Sequence, residues 1–396
     1  MTSRSQPWGE ALPVLFAGVM ATLVGIGLAR FAYTPLIPVL IAANWFSASD
    51  AIYLGAANLL GYFVGALSAH RLTERFPPRL AVGISLAVVV LSFVLCSWAA
   101  GFYWFFVWRL LSGFAGAILM VTVPSMVLSR APIEQRTMVG TLTFSGVGLG
   151  AVLAAVVIPV LLSFDLTITW LVLGLVGIVC ALACDWGMRA VSRLPDVQHH
   201  GAQTSSQNNM LRPVVLLVLA AYALDAAGFI PHTVFWVDFL ARENGFGQSA
   251  ASVQWAIFGL GALCGPLLAR GLVGRLGWGF SLALAFGLKA LAVAMPLVSL
   301  AFVSQTVSSF VVGALVPGLS ALTSGRLAEI VGSAGHKRAW GQATAVFAAA
   351  QAVSGFSMSV AYDAIGQYAP LFGVASGLLA LGAILVVLSN RSAGRV

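Results

Sequence analysis

Charge is the scarcest thing in this sequence. Only 8% of its 396 residues are Asp, Glu, Lys or Arg, where a soluble domain carries about 25%. With 60% of the residues hydrophobic, a soluble fold of this size could not keep so much apolar surface from water. A lipid-facing exterior removes that requirement. Cysteine is scarce too, and Cys96, Cys180, Cys184 and Cys264 all fall inside apolar runs, so no disulfide framework is implied. Cys180 and Cys184 are one helical turn apart, but no nearby His or further Cys completes a tetrahedral metal set; packing as small hydrophobes is expected. A nucleotide loop, an HExxH pair and a hydrolase elbow are also missing. That leaves a membrane enzyme without chemistry, implies no cofactor, and turns attention from ATP to ion gradients. The net charge of +8 does not imply nucleic acid, because the cations sit in short loops and form no basic stripe.

What the sequence has instead is long apolar runs. A spanning helix needs roughly 20 such residues, and that window predicts twelve spans: 11–41, 50–70, 79–100, 102–129, 137–162, 168–190, 213–240, 250–270, 278–300, 302–327, 338–362 and 368–390. The first run is too long for the apolar core of a signal peptide. Counting Lys and Arg by side puts sixteen cations, from Arg4 to Arg395, on one face and Arg242 alone on the other. Arg30, Arg109 and Lys289 remain within spans. This asymmetry predicts an inner-membrane protein with both termini cytoplasmic.

The polar stretch 191–212, which contains His199 and His200, has no hydrophobic period and is read as a cytoplasmic linker. It divides the chain into an N-terminal six-helix bundle, 1–190, and a C-terminal one, 213–396. The halves resemble each other: "GALSAHRLTER" after the second span matches "GPLLARGLVGR" after the eighth, pairing Gly65 with Gly265 and Arg75 with Arg275 at an offset of 200. A repeated half is a signature of transporter folds, whose binding site lies at the repeat interface near the midplane.

On these features the chain resembles the major facilitator superfamily. "RLLSGFAGA" (Arg109, Gly113, Ala117) is similar to its fourth-helix motif RxxxGxxxA. The loop after the second span resembles its GxLxDR gating motif, with Ala69 at the Asp position and His70 at the Arg position. "GIGLARFAYTPLIPVL" together with "NLLGYFVGAL" resembles the YbfB/YjiJ branch. The resemblance implies an all-α fold of two pseudo-symmetric six-helix bundles, with spans 1, 4, 7 and 10 walling the cavity. It also implies a gating role for Gly65, Arg75, Gly265 and Arg275. The glycines of "GVGLG" (Gly146, Gly148, Gly150) are read as close helix packing. The fifth span lacks the Pro of the GxxxGPxxGG motif seen in drug/proton antiporters, which disfavours a multidrug exporter.

Ionisable side chains within the hydrocarbon cost roughly 2.5–3.5 kcal/mol on insertion scales, so they face cavities or partners. Arg30 is either an anion anchor, since guanidinium pairs bidentately with carboxylate, or a tie between helices. Arg109 is divided between substrate contact and gating or packing. Asp225 and His232, seven residues apart, share a helix face about 10 Å apart along the axis. They form a candidate proton relay, or Asp225 is neutralised by a neighbouring cation; His232 is also a candidate substrate contact. Lys289 is read as structural. Tyr33 and Asn58 are candidate polar substrate contacts. Three intramembrane cations against one midplane carboxylate point to a small organic anion. The expected function is therefore a monomeric secondary transporter moving a small-molecule solute across the lipid bilayer with protons. The alternatives are a proton-antiport exporter of hydrophobic compounds and a non-transporting receptor or scaffold on a carrier fold.

Overall fold

A computed structural model describes residues 11–130, 135–162, 164–191 and 213–393; most of the segment read as a linker, 192–212, lies outside them. The described residues form helices and no strand. Helices long and apolar enough to cross a membrane are α1 (Leu12–Ala42), α2 (Ala48–Arg75), α3 (Pro78–Leu95), α4 (Phe102–Arg130), α5 (Met138–Leu161), α6 (Leu166–Val191) and α7 (Pro213–Glu243), followed by the stretch Gly247–Val298, then Phe302–Gly332, Arg338–Ile365 and Ala369–Ser392. A straight 52-residue helix would be about 78 Å long, more than twice the hydrocarbon thickness of about 30 Å. Gly247–Val298 is accordingly broken at Gly277, whose φ of 73° and ψ of 169° are not helical. It comprises α8 (247–276) and α9 (278–298). The last three helices are then α10, α11 and α12, and the expected twelve are present. Gly332, with φ 73°, makes the matching break between α10 and α11. Both breaks need the left-handed region that glycine enters without strain.

The internal repeat is visible atom by atom. α2 carries Gly61 and Gly65 on one face, and α4 passes so close that Cβ atoms there would lie 1.9 Å from the Leu110 carbonyl oxygen and 2.4 Å from that of Phe114. In the second half, Gly261 and Gly265 of α8 meet the carbonyl oxygens of Phe310 and Ala314 of α10, at 2.3 and 2.0 Å. From the other side, Gly113 faces the Asn58 carbonyl and Gly313 that of Phe258, at 1.9 and 2.1 Å. Every pair repeats at an offset of 200. Small residues at i and i+4 let membrane helices approach to backbone contact. Gly65 and Gly265, read as gating residues, are placed at this contact, while Arg75 and Arg275 are exposed at the arginine-rich ends of α2 and α8.

Burial separates inner from outer helices. In their most apolar windows α1 and α7 are 67% buried and α4 61%, against 33% for α3, α6 and α12. The halves meet where Gly148 of α5 packs against the backbone of Gly259 and Leu263 of α8, and where Gly355 of α11 meets Leu59 of α2. Gly146 and Gly150 instead face α1, at Val19 and Gly27. All three glycines of "GVGLG" therefore serve helix packing, as expected.

Overpacking costs typically 1–3 kcal/mol. Gly113→Val and Gly313→Val are expected each to lower the thermal unfolding midpoint of the purified protein by several degrees. Gly287→Ala, where nothing lies within 4 Å of an added Cβ, should leave it unchanged or slightly raised. A tolerated valine at 113 or 313 would contradict the backbone contact.

Candidate functional site

α1 does not run as a regular helix. It is α-helical over Ala11–Thr22, widens to π-helical over Leu23–Phe31, and tightens to a short 3₁₀ turn at Thr34–Leu36. Pro35 and Pro38 supply no N–H to the carbonyls behind them. The Tyr33 N–H turns back to the Arg30 oxygen at 3.2 Å rather than to Ala29. The Ala29 carbonyl is taken up by side chains of other helices: Arg109 Nη1 donates to it at 2.7 Å, Asn58 Nδ2 at 3.4 Å and Ser112 Oγ at 3.4 Å. Asn58 also donates to the Arg109 carbonyl at 3.2 Å. The Arg109 guanidinium lies 4.1 Å from the centre of the Tyr33 ring, and the Tyr33 hydroxyl donates to the Ala51 carbonyl at 2.9 Å.

Arg30 stands beside this cluster with fewer partners. It is 8% exposed, and its Nε and Nη2 are buried without a hydrogen-bond partner. Its guanidinium carbon is 5.5 Å from the Phe31 ring centre and 5.3 Å from that of Phe229 on α7. Neither Arg30 nor Arg109 takes part in an ion pair among the described residues. Both line a cavity of about 10 Å³ together with Tyr33, Thr34, Leu59 and Thr233, room for about one water molecule. Arg30, Tyr33, Asn58 and Arg109 are thus brought together at the junction of the halves.

The charges of the second half are arranged differently. Asp225 of α7 is paired with Lys289 of α9 at 2.6 Å, and both side chains are buried. This is the neutralised arrangement among the readings of Asp225, and it turns Lys289 inward from a peripheral helix. Lys289 Nζ lies 5.1 Å from the Phe229 ring centre. His232 follows Pro231 in a π-helical stretch, Pro231–Phe235. Its Nε2 is 2.8 Å from Ser308 Oγ, while Ser308 donates its hydroxyl proton to the Ala292 carbonyl at 2.7 Å. Ser308 Oγ must then accept, which assigns the Nε2–H tautomer and leaves Nδ1 buried without a partner. The imidazole stacks on Trp236 at 4.5 Å. His232 therefore sits among α7, α9, α10 and α12.

One cluster was not apparent from the sequence. Asp238, near the C-terminal end of α7, is 0% exposed. It accepts two hydrogen bonds from Arg242, at 3.1 and 2.8 Å, and one from the Tyr368 hydroxyl. Arg242 also donates to Tyr362 at 2.7 Å, and Glu243 accepts from the Tyr368 N–H at 3.0 Å. The i, i+4 spacing of Asp238 and Arg242 was the available signal.

At the arginine-poor end the halves are fastened. Thr34 donates to the Thr233 carbonyl at 2.6 Å, Gln248 to the Pro35 carbonyl at 2.8 Å, and Ser49 to Asp363. Phe31 packs edge-on against Trp255 and Phe258, at 5.6 and 5.7 Å. At the arginine-rich end, the described residues show no hydrogen bond or ion pair joining the halves. Ala69 is buried there and His70 pairs with Glu74 of its own helix at 3.2 Å.

Comparison with known proteins agrees with this architecture. The family described as "Uncharacterised MFS-type transporter YbfB" matches residues 22–387. The chain is similar to the gallate transporter of Pseudomonas putida, 24% identical over 376 residues that cover 85% of this chain and 82% of that protein. It is also similar to the class B tetracycline resistance protein of Escherichia coli, 25% identical over 257 residues, 61% of this chain. That match spans only 60% of the tetracycline resistance protein.

Removing one partner of a buried ion pair costs about 3–5 kcal/mol, because the other charge is left uncompensated. Asp225→Asn and Lys289→Met are each expected to destabilise the purified protein by that amount, and the double variant to recover most of it. Thermal unfolding of the four proteins as a double-mutant cycle checks this; additive losses would mean that the pair is not coupled.

Proposed function

Because the chain belongs to the YbfB-type family of major facilitator superfamily transporters, we propose that it is a proton-coupled secondary transporter of a small organic anion, working by alternating access between its six-helix halves. The observation that carries the substrate class is the state of Arg30. A buried guanidinium with two nitrogens lacking hydrogen-bond partners and no carboxylate paired to it is costly unless a ligand supplies the missing acceptors. Arg109, held over Tyr33, adds a second positive charge to the same cavity wall. The similarity to a gallate transporter supports an aromatic carboxylate as the anion. Arg30 is the anchor, Arg109 and Asn58 hold the broken stretch of α1 that presents it, and Tyr33 closes the wall.

Energy coupling is assigned to Asp225. It is a buried carboxylate whose partner Lys289 faces the same Phe229 ring as Arg30, and a proton on it releases Lys289. The arginine-rich face is taken as cytoplasmic, in the cytoplasmic membrane of a monomeric carrier. On that orientation, the bonds from Thr34, Gln248 and Ser49 close the outer side, and solute exchanges with the cytoplasm. A second reading is export of hydrophobic compounds by proton antiport, favoured by the similarity to the tetracycline resistance protein. It leaves the two unpaired arginines without a role.

A ligand bound only by the native state stabilises by RT ln(1 + [L]/Kd), about 2.7 kcal/mol at a hundredfold excess over Kd. Gallate and other aromatic carboxylates are expected to raise the unfolding temperature of the wild type and not of Arg30→Gln. In proteoliposomes, Asp225→Asn should lose gradient-driven accumulation and keep exchange of solute for solute. Stabilisation confined to lipophilic cations would replace this reading with the exporter. Ligand binding without any flux would replace it with a receptor.

A further inference from the structure

The anion anchor and the proton site lie in different halves, yet one aromatic ring faces both the anchor and the cation paired with the proton site. Phe229 of α7 is 2% exposed. Its ring centre is 5.3 Å from the Arg30 guanidinium carbon and 5.1 Å from Lys289 Nζ, both within the roughly 6 Å reach of a cation–π interaction. The two cations are therefore within about 10 Å of each other. Phe229 also sits one helical turn beyond Asp225, to whose carbonyl its N–H donates at 3.1 Å, and Phe347 of α11 stacks on it at 5.7 Å. We propose that Phe229 is the positioning residue that couples the two sites, so that anion binding at Arg30 and proton binding at Asp225 favour each other. The inference rests on the anion-carrier reading above and names the path of its coupling.

The physical case is a competition. With Asp225 ionised, Lys289 is neutralised at 2.6 Å, and the ring serves mainly Arg30. A proton on Asp225 strips Lys289 of its counter-charge. Two uncompensated cations then share one ring, in a medium where charges about 10 Å apart still influence each other's binding equilibria on the order of tenfold. An anion on Arg30 relieves that conflict. Arg30, Arg109, Lys289 and Asp225 together carry +2, and one proton plus one monoanion leaves the sum at +2. The empty and the doubly loaded carrier thus present the same charge to the bilayer, while either half-loaded form does not. By linkage the effect is reciprocal.

The other groups around Asp225 fit this account. α7 itself contributes Tyr222, hydrogen-bonded to Ser320 at 2.9 Å, and His232, held by Ser308. Tyr62 of α2 lies within electrostatic range of both Arg30 and Tyr222. α10, α11 and α12 present Ser308, Ser320, Phe347 and Phe372 toward this region, all uncharged.

Two measurements on the full-length protein test the coupling. The first is the Kd of gallate, kept anaerobic, at pH 5.5 and 7.5. The wild type is expected to bind on the order of tenfold more tightly at the lower pH. Phe229→Leu should reduce that ratio below about threefold, and Phe229→Tyr, which keeps the ring, should restore it. The second needs no ligand: the infrared carboxyl band of Asp225, identified by its loss in Asp225→Asn, is titrated in a cycle of Arg30→Gln and Phe229→Leu. Arg30→Gln is expected to move the midpoint by about one pH unit in the wild-type background and by clearly less in Phe229→Leu. An equal displacement in both backgrounds, or an unchanged Kd ratio in Phe229→Leu, overturns the coupling role. If gallate fails to bind the wild type at either pH, the aromatic-anion reading falls, and the infrared cycle still decides whether Phe229 links the two sites.

Discussion

The hydrocarbon interior tolerates no bare carbonyl, and the consequences of that rule at Ala29 organise the first half of this protein. Once α1 departs from regular helix geometry, the Ala29 oxygen needs donors from elsewhere. Arg109, Asn58 and Ser112 provide them. This draws α2 and α4 onto α1, fixes Arg109 over Tyr33, and leaves Arg30, the next residue along, against Phe229 of α7 with two nitrogens lacking a hydrogen-bond partner. The irregularity that would destabilise a soluble helix here creates a positively charged wall at the junction of the two halves.

Sequence periodicity exposed the scaffold well and the interior poorly. Twelve spans were legible because span length is set by bilayer thickness, a constraint outside the protein. The repeat was legible because glycines that permit backbone contact leave no substitute: Gly65 and Gly265 stand at the same offset in the sequence and touch equivalent carbonyls in the fold. The partner of Asp225 was not legible. Lys289 lies 64 residues away on another helix, and pairing across helices depends on rotations that hydropathy does not encode. Pro35 and Pro38 lie in the sequence of α1, but the widening begins at Leu23, twelve residues before Pro35. The role of Ala29 had no signal at all, since every residue type carries the same carbonyl. Asp238 was legible only as half of an i, i+4 pair; its burial depends on Tyr362 and Tyr368, more than a hundred residues further on.

The two halves also differ in how they satisfy their buried charges. The first holds two guanidiniums over ring faces, only Arg109 with a hydrogen bond shown, and neither with a counter-ion among the described residues. The second closes its buried carboxylates in pairs, Asp225 with Lys289 and Asp238 with Arg242, and holds a histidine whose proton is committed to Ser308. A site meant only for stability gains little from a buried ion pair, since well-packed apolar side chains often serve as well. The persistence of unpaired charge in one half beside paired charge in the other is easier to understand if a charged solute and a proton pass between them.

The offset of 200 that aligns the glycines does not align these charges. Position 225 corresponds to Gly25, 289 to Val89, 230 to Arg30 and 309 to Arg109, and in each comparison one half is uncharged. If the chain descends from a gene duplication, the helix-packing glycines were kept in both copies while the ionisable residues diverged. Two copies of the first half would bury four arginines and no acid; two copies of the second would bury only carboxylates already neutralised by their own cations. Fusing unlike copies in one polypeptide fixes their ratio at one to one, so every molecule inherits both the unpaired arginines of one half and the paired carboxylates of the other.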